Sequence, residues 1–469
     1  MAPNTLDIIR LDGRGHGVAH VDGARITVPL ALPGERVQVD IAKVRGRLTG
    51  MPNEILVKSP DRTDPACPFV ESCPGCTLRQ VKMTRQQTIR MRRIREGLGA
   101  MVQHLPTVHL VGALPRDGIR SRAVAHAMLR ADGQLVLGMR GRLEQPIPLS
   151  ACPVHTPTCR AILQAVEHDL RQIGVQPYDQ AERTGVLRHV LVEEFDSHRR
   201  TEGVGPQRSQ RIVLALGQPA DEALFKNVGA AAFPDASLLI EVLPYRGSAS
   251  IAKPRVLRGN PAIGLPVEDD VLQATLPAWT PQAPRVSAWL RKTIRRWLMP
   301  TPDARILEVG CGVGTLTLDL ARQGKHVVAI DACRTAIADA KANAMTYGLT
   351  NIEFRTGVAN KALIRLMNRG DRFHQVVLHA MRRPLGPRTM SVIEALNPSK
   401  ILYIGPSARS IGEDISRLQH YTCEQIGFVD QTPGTTASLS VVLLHRKPTK
   451  DMQESWRSTM KPVKLTMGR

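Results

Sequence analysis

Two groups of residues in this sequence have types and spacings suited to chemistry. The first is a set of thiols, Cys67, Cys73 and Cys76, in the segment ACPFVESCPGCTLRQV. Three cysteines this close in a chain without a disulfide framework point to metal ligation. A fourth ligand is needed, and Cys152, in SACPV, is preferred to Cys159. Thiolate-only ligation suits zinc or a [4Fe-4S] cluster. Spacing does not separate these two, and free thiols are the third reading.

The second group lies in residues 305–331, RILEVGCGVGTLTLDLARQGKHVVAID. An apolar run ends on Glu308, followed by Gly310, Gly312 and Gly314, a helical pattern, and a second apolar run ending on Asp331. This is a strand, glycine loop, helix and strand in the order that cradles a nucleotide-type cofactor in a doubly wound fold. Glycines let the backbone approach a ligand, and the helix start offers free N–H groups. Asp331 would accept hydrogen bonds from a ribose diol. The dinucleotide pattern G-x-G-x-x-G is absent, because Thr315 occupies its third glycine position.

The elements that position these groups need more than one core. A chain of 469 residues suggests about three domains. Lysine and arginine total 63 against 42 acidic residues, a net charge of +21 with pI near 10.2, which implies a polyanionic partner, nucleic acid first. Aromatic residues make up only 3%, so arginine–phosphate contact rather than base stacking must carry such binding. Residues 1–10 hold no apolar leader core and no apolar run reaches membrane length, so a cytoplasmic, monomeric protein with no membrane partner is expected.

Residues 5–60 alternate apolar and polar around the turns Asp12-Gly13, Asp22-Gly23 and Pro33-Gly34. They predict a small antiparallel barrel studded by Arg10, Arg14, Arg25, Arg36, Lys43, Arg45 and Arg47. Residues 80–98 predict a helix whose Lys82, Arg85, Arg90, Arg92, Arg93 and Arg95 either track phosphates or form a solvated face. Residues 105–270 are mostly β, with a hairpin over 119–140 and a helix over 160–173. Residues 198–211 read as an exposed loop, and Cys423 as a core residue in a turn. The strand over 440–444 is expected to close the last sheet, and the basic tail after Lys447 to be disordered.

The E-x-G-x-G-x-G form resembles class I S-adenosylmethionine (SAM) methyltransferases. The segment GHGVAHVDGARITVPLALPGERVQVDI resembles the TRAM domain, an OB-like barrel that binds RNA, and TGVLRHVLVEE resembles a G-x-LRH strand of the same enzymes, with Gly185, Leu187, Arg188 and His189. Taken alone, His189 is more often structural than catalytic. With the cysteine spacing, almost the whole chain resembles the RNA uracil-5-methyltransferases that modify 23S ribosomal RNA or tRNA. The radical-SAM spacing C-x3-C-x2-C is not present.

The resemblance implies an α/β fold with the following parts: residues 1–62, a TRAM-like barrel; 63–104 and 105–275, a cysteine-cluster and β-rich central domain; 276–448, a SAM-dependent methyltransferase domain; 449–469, a tail. It implies SAM held by Gln282, Glu308, Gly310, Gly312, Gly314 and Asp331, and a [4Fe-4S] cluster on Cys67, Cys73, Cys76 and Cys152, with zinc as the lesser alternative. Asn360 lies a few residues beyond the place of a further SAM contact. RNA is the implied partner, ribosomal RNA ahead of tRNA.

The family's chemistry is not matched. Its reaction adds a cysteine thiolate to uracil C6, passes a methyl group from SAM to C5, and removes the C5 proton with a glutamate. Here His379 stands where a D-P-P-R aspartate belongs, followed by Arg382 and Arg383. Pro406 takes the place of the nucleophilic cysteine, Leu439 that of the glutamate, with Ser438 or Ser440 one residue away, and Asp414 remains. Ser407 is a weak nucleophile within reach of the same place. No catalytic residue is therefore assigned, and two readings stand: a SAM-binding RNA methyltransferase, altered or re-tasked, and a non-catalytic RNA-binding relative.

Overall fold

The computed structural model describes residues 4–44, 46–104, 107–196, 208–243, 254–380 and 383–448. Arg45, Arg382, most of the 198–211 segment and the tail from 449 lie outside them. The N-terminal strands β1 (Asn4–Asp7), β2 (Arg10–Leu11), β3 (Gly17–Val21), β4 (Ala24–Val28), β5 (Arg36–Val44) and β6 (Arg47–Val57) form one sheet in the order β1-β5-β6-β4-β3-β2. Leu6, Ile8, Ile26, Val28, Val37 and Val39 supply its own core. Helix α1 (Met83–Leu98) follows, then strand β7 (His109–Ala113).

The middle of the chain builds a seven-stranded sheet, β10-β9-β8-β11-β12-β13-β14, from β8 (Arg122–Leu129), β9 (Leu135–Arg140), β10 (Pro146–Pro148), β11 (Leu187–Asp196), β12 (Arg208–Leu216), β13 (Ser237–Val242) and β14 (Arg255–Arg258). Helix α2 (Pro157–Gln172) lays Ile162, Leu163, Val166 and Leu170, spaced for one helical face, over that sheet. Glu193 of β11 and Arg211 of β12 are both fully buried, and the guanidinium holds the carboxylate from Nε at 2.9 Å and Nη2 at 2.5 Å. Arg211 therefore belongs to a strand core, not to an exposed loop. Its local sequence is charged, but its partner is supplied across the ladder.

A hairpin, β15 (Ala262–Val267) and β16 (Asp270–Thr275), leads to helix α3 (Pro284–Leu298). The C-terminal unit runs β17 (Arg305–Val309), α4 (Thr317–Gln323), β18 (His326–Asp331), α5 (Arg334–Thr346), β19 (Ile352–Thr356), α6 (Ala359–Asn368), β20 (Gln375–His379), α7 (Pro387–Leu396), β21 (Lys400–Gly405), α8 (Ala408–Ile415), β22 (Tyr421–Asp430) and β23 (Leu439–Arg446). The sheet order is β19-β18-β17-β20-β21-β23-β22-β7, with β19 through β21 parallel and β23 antiparallel to both neighbours. Its parallel strands are near-continuous apolar runs because helices cover both faces. Strand order reverses between β17 and β20, so a crevice opens at their C-terminal ends.

Three sequence expectations are corrected here. β23 lies inside the sheet, and β7, from the stretch read as part of the central region, forms the edge by pairing parallel to β22. Cys423 is buried, but on strand β22 and not in a turn. Arg90 of α1 faces no solvent: both it and Asp430 are fully buried, 2.9 Å apart, and Arg90 also donates to the Thr435 carbonyl. Among the described residues no helix is long and apolar enough to cross a membrane.

Helix α5 seals the hairpin's free edge. Asp339, Asn343 and Tyr347, one helical turn apart, accept from the backbone amides of Thr275, Gln273 and Val271 at 2.7, 2.9 and 2.7 Å. Alternate residues of a strand and every fourth residue of a helix thus meet in register.

Two predictions follow from this packing. Asp430→Ala leaves a buried guanidinium uncompensated and is expected to cost about 3–5 kcal/mol, whereas Arg90→Met with Asp430→Leu costs much less; thermal melting of the full chain compares them. Burial, helped by His126, Arg188 and Arg122, pushes His189 down to about 4 from 6.5. The folded sheet therefore holds His189 neutral. The contribution of His189 is complete above the unfolded value and is lost as pH falls from 6.5 toward 4, by up to about 3 kcal/mol. Melting of His189→Phe against the parent across that window measures the difference.

Candidate functional site

The glycine loop is shaped by its own backbone. Gly310, Gly312 and Gly314 all have positive φ, at 84°, 55° and 90°, which side chains other than glycine adopt with strain. The amides of Gly310 and Cys311 both donate to the Ile330 carbonyl, at 2.8 and 3.1 Å, which ties the loop to β18. Asp331, at the tip of β18, accepts from Gly312 N at 2.9 Å and Cys333 N at 2.8 Å. A carboxylate has about four acceptor positions, so capacity remains for a diol. A Cβ on Gly312 would meet nothing within 4 Å, so the middle of the loop faces open space.

Beneath the loop, Glu308 is 1% exposed and both its oxygens are engaged. Thr317 Oγ donates to one at 2.6 Å, and His379 Nε2 lies 3.1 Å from the other. His379 ends β20, the strand beside β17, and a Cβ on Gly310 would come within 3.0 Å of the His379 Cβ. The cofactor loop and His379 are thus in direct contact. Gln282 is exposed just ahead of α3, its carbonyl accepting from Ser121 N at 2.9 Å. Asn360, in the first turn of α6 beyond β19, has a buried Oδ1 without a hydrogen-bond partner.

The neighbouring strand ends hold the residues expected at the altered positions. Gly405, last in β21, pairs with Ser440 of β23, and Pro406 and Leu439 are the residues next to that pair. Pro406, Ser407, Ala437 and Ser438 line a cleft of about 1320 Å³ shared with α1, α8 and Gly13 of the N-terminal sheet. Arg93, Arg409 and Lys447 edge it, and no cysteine lines it among the described residues. No residue of the glycine loop lines it either, so the cleft and the loop are separate hollows on one rim of the sheet. Ser407 caps α8, accepting from Ser410 N at 3.2 Å. Asp414 is structural: fully buried, it accepts from Leu385 N at 2.6 Å, Gly386 N at 3.0 Å and the Tyr403 hydroxyl, and so clamps the connection after β20 to α8.

Cys67, Cys73, Cys76 and Cys152 are all free thiols, half-buried, and electrostatically coupled to one another. Burial pushes Cys76 up to about 11 and raises Cys73 and Cys152. Among the described residues no three metal-binding side chains are gathered around one point. The surroundings fit an anionic group nonetheless. Arg79, Arg120 and Arg142 all act on these thiols, and each has a buried guanidinium nitrogen without a hydrogen-bond partner. Cys159, the alternative ligand, is fully buried in the central core, and burial raises its thiol. Gly434 lies against Cys76, its carbonyl accepts from Leu78 N at 2.8 Å, and its amide donates to Gln86 at 2.9 Å. The thiol loop and α1 therefore grip the segment that leads into β23.

These features define a class I methyltransferase fold. A methyltransferase-domain profile matches residues 300–426. An RNA methyltransferase of Halalkalibacterium halodurans is 25% identical over 445 residues, 92% of this chain and 94% of its own. An RNA methyltransferase of Caldanaerobacter subterraneus is 23% identical over 94% of this chain and 97% of its own. The crystal structure of the Pyrococcus abyssi tRNA (uracil-54, C5)-methyltransferase with S-adenosyl-L-homocysteine superposes with a TM-score of 0.73 at 20% identity, over 94% of this chain and 99% of that one. Over nearly its whole length the chain is thus similar to curated RNA methyltransferases, and its fold to that of a tRNA uracil-C5 methyltransferase.

The glycine loop and Asp331, singled out in the sequence, lie against each other, whereas the four thiols are not gathered around one point among the described residues. The sequence pattern missed the Glu308–His379 contact, for which no local signal exists, since the two residues lie 71 apart. Asp414→Ala removes the partner of two amides and a buried tyrosyl hydroxyl, so a loss of about 3 kcal/mol or more is expected. Thermal melting measures the loss, and Asp414→Asn should recover only part of it.

Proposed function

We propose that this protein binds SAM and RNA and acts as an RNA methyltransferase. The observation that carries the proposal is the left-handed glycine loop folded onto Asp331 at the strand-order reversal, open in front of Gly312. Asp331 would accept from the ribose hydroxyls. The unpartnered Asn360 oxygen suits the exocyclic amine of adenine, and Gln282 would contact the amino-acid end. On this reading residues 1–62 form the TRAM-like RNA-binding barrel, 63–104 and 105–275 the thiol and central region, and 276–448 the methyl-transfer domain.

Cys67, Cys73, Cys76 and Cys152 would hold a [4Fe-4S] cluster, zinc being the lesser candidate. The unpaired guanidinium nitrogens nearby support an anionic occupant. Such a group would brace the segment ahead of β23 through the Cys76–Gly434 contact. The net charge of +21 supports an RNA partner, with ribosomal RNA preferred to tRNA.

Pro406 and Leu439, at the places of the family's thiolate and base, speak against methylation of uracil C5 by the family route. They equally favour a second reading, a non-catalytic RNA-binding relative.

Calorimetry with SAM and transfer of labelled methyl groups to RNA, with ribosomal RNA and tRNA tested side by side, separate the readings. SAM is expected to bind, and Asp331→Ala to weaken it by at least about tenfold. RNA retention without SAM binding would leave the non-catalytic reading.

A further inference from the structure

We propose that His379 is the general base of this site, and that the methyl acceptor is an N–H or O–H group of the RNA rather than a ring carbon. The inference deepens the SAM-dependent reading above and rests on it. Three observations carry it. His379 ends the strand beside the cofactor strand and touches the glycine loop at Gly310, so it borders the space a bound methyl donor would enter. Its side chain is 28% exposed while Glu308 is 1% exposed, which makes an accessible imidazole backed by a buried carboxylate. Nearby carboxylates have partners of their own: Asp331 takes two backbone amides, Asp414 two amides and Tyr403, Glu413 pairs with Arg409 at 3.2 Å and Glu96 with Arg92 at 2.7 Å.

The arrangement is that of a base and its orienting group. Nε2–H donates to Glu308, which fixes the tautomer and leaves Nδ1 as the basic nitrogen, with no partner among the described residues. Thr317 holds the second oxygen of Glu308, so the carboxylate cannot swing away. In the reaction the acceptor's proton passes to Nδ1, and the freed electron pair on nitrogen or oxygen forms the bond to the methyl carbon of SAM. The S–CH3 bond breaks with its electrons going to sulfur, leaving a neutral thioether. The imidazolium, stabilised by Glu308, then releases its proton to water.

Carbon is disfavoured as the acceptor because uracil C5 becomes nucleophilic only after a thiolate adds to the ring, and among the described residues no cysteine lines the cleft beside Pro406. Cys423 is buried within β22, Cys311 is buried within the loop, and Cys333, half-buried ahead of α5, packs against the hairpin core. A heteroatom acceptor needs only proton removal, which one oriented imidazole provides.

The test uses the full-length protein, labelled SAM, total RNA from a host lacking the protein, and nucleoside mass spectrometry. Label on a base nitrogen or ribose oxygen is expected. His379→Ala should lower kcat at least about a hundredfold while SAM affinity stays within about threefold, and added imidazole should restore part of the rate. His379→Gln, which keeps a donor toward Glu308, guards against a folding defect and should be equally slow. Glu308→Gln should lower kcat without raising the KM for RNA. Label in 5-methyluridine, a His379→Ala rate near the parent's, absence of imidazole rescue, or no transfer to any RNA by SAM-bound protein would each overturn the inference. Failure of the parent to bind SAM would instead overturn the reading on which it rests.

Discussion

The assembly depends on guanidinium groups buried where distant parts of the chain meet. A buried charge destabilises a fold unless its partner is fixed and its remaining hydrogen bonds are met. Arg90 on α1 meets Asp430 at the end of β22, 340 residues away. Arg211 meets Glu193 and also donates to the carbonyls of Pro261, at 3.0 Å, and Ala274, at 2.9 Å, so the central sheet is tied to the hairpin that follows it. Arg291 of α3 meets Asp319 of α4 at 2.6 Å. Burial pulls Arg90 down and pushes Asp430 up, each opposed by the other, so neither is tolerable alone. Such pairs penalise wrong docking more than they reward correct docking.

The Arg90 junction has the widest consequence. Arg90 and Gln86, one turn apart on α1, hold the Thr435 carbonyl and the Gly434 amide at 2.8 and 2.9 Å. The same segment packs against Cys76. The thiol loop, α1 and the entry to β23 are therefore mechanically one unit.

Much of this was legible in the sequence, for reasons that differ by element. The glycine loop could be read because positive φ at fixed intervals demands glycine, whatever surrounds it. The parallel strands could be read because burial on both faces leaves uninterrupted apolar runs such as VVAI and ILYI. Strand β7, HLVGA, is too short and plain to reveal which sheet it joins, and its partner is some 300 residues later in the chain. Arg90 and Arg211 read as surface residues because local composition reports charge and not its partner. The hairpin's seal by Asp339, Asn343 and Tyr347 was hidden for the same reason: a helix with polar residues every fourth position looks solvated until a strand edge is laid on it.

The Glu308–His379 contact shows how the residue type at one strand end sets what a site can do chemically. Glu308 is buried at the end of β17, where an ionised carboxylate needs donors around it. Thr317 supplies one, and the end of β20 is close enough to supply the other. An aspartate at position 379 would bring a second acceptor to a wall already occupied by a buried carboxylate. Histidine brings a donor toward Glu308 and keeps an acceptor for whatever lies outside. Like-charge repulsion is replaced by an oriented pair, and a wall that could only accept hydrogen bonds becomes one that can both hold and take a proton.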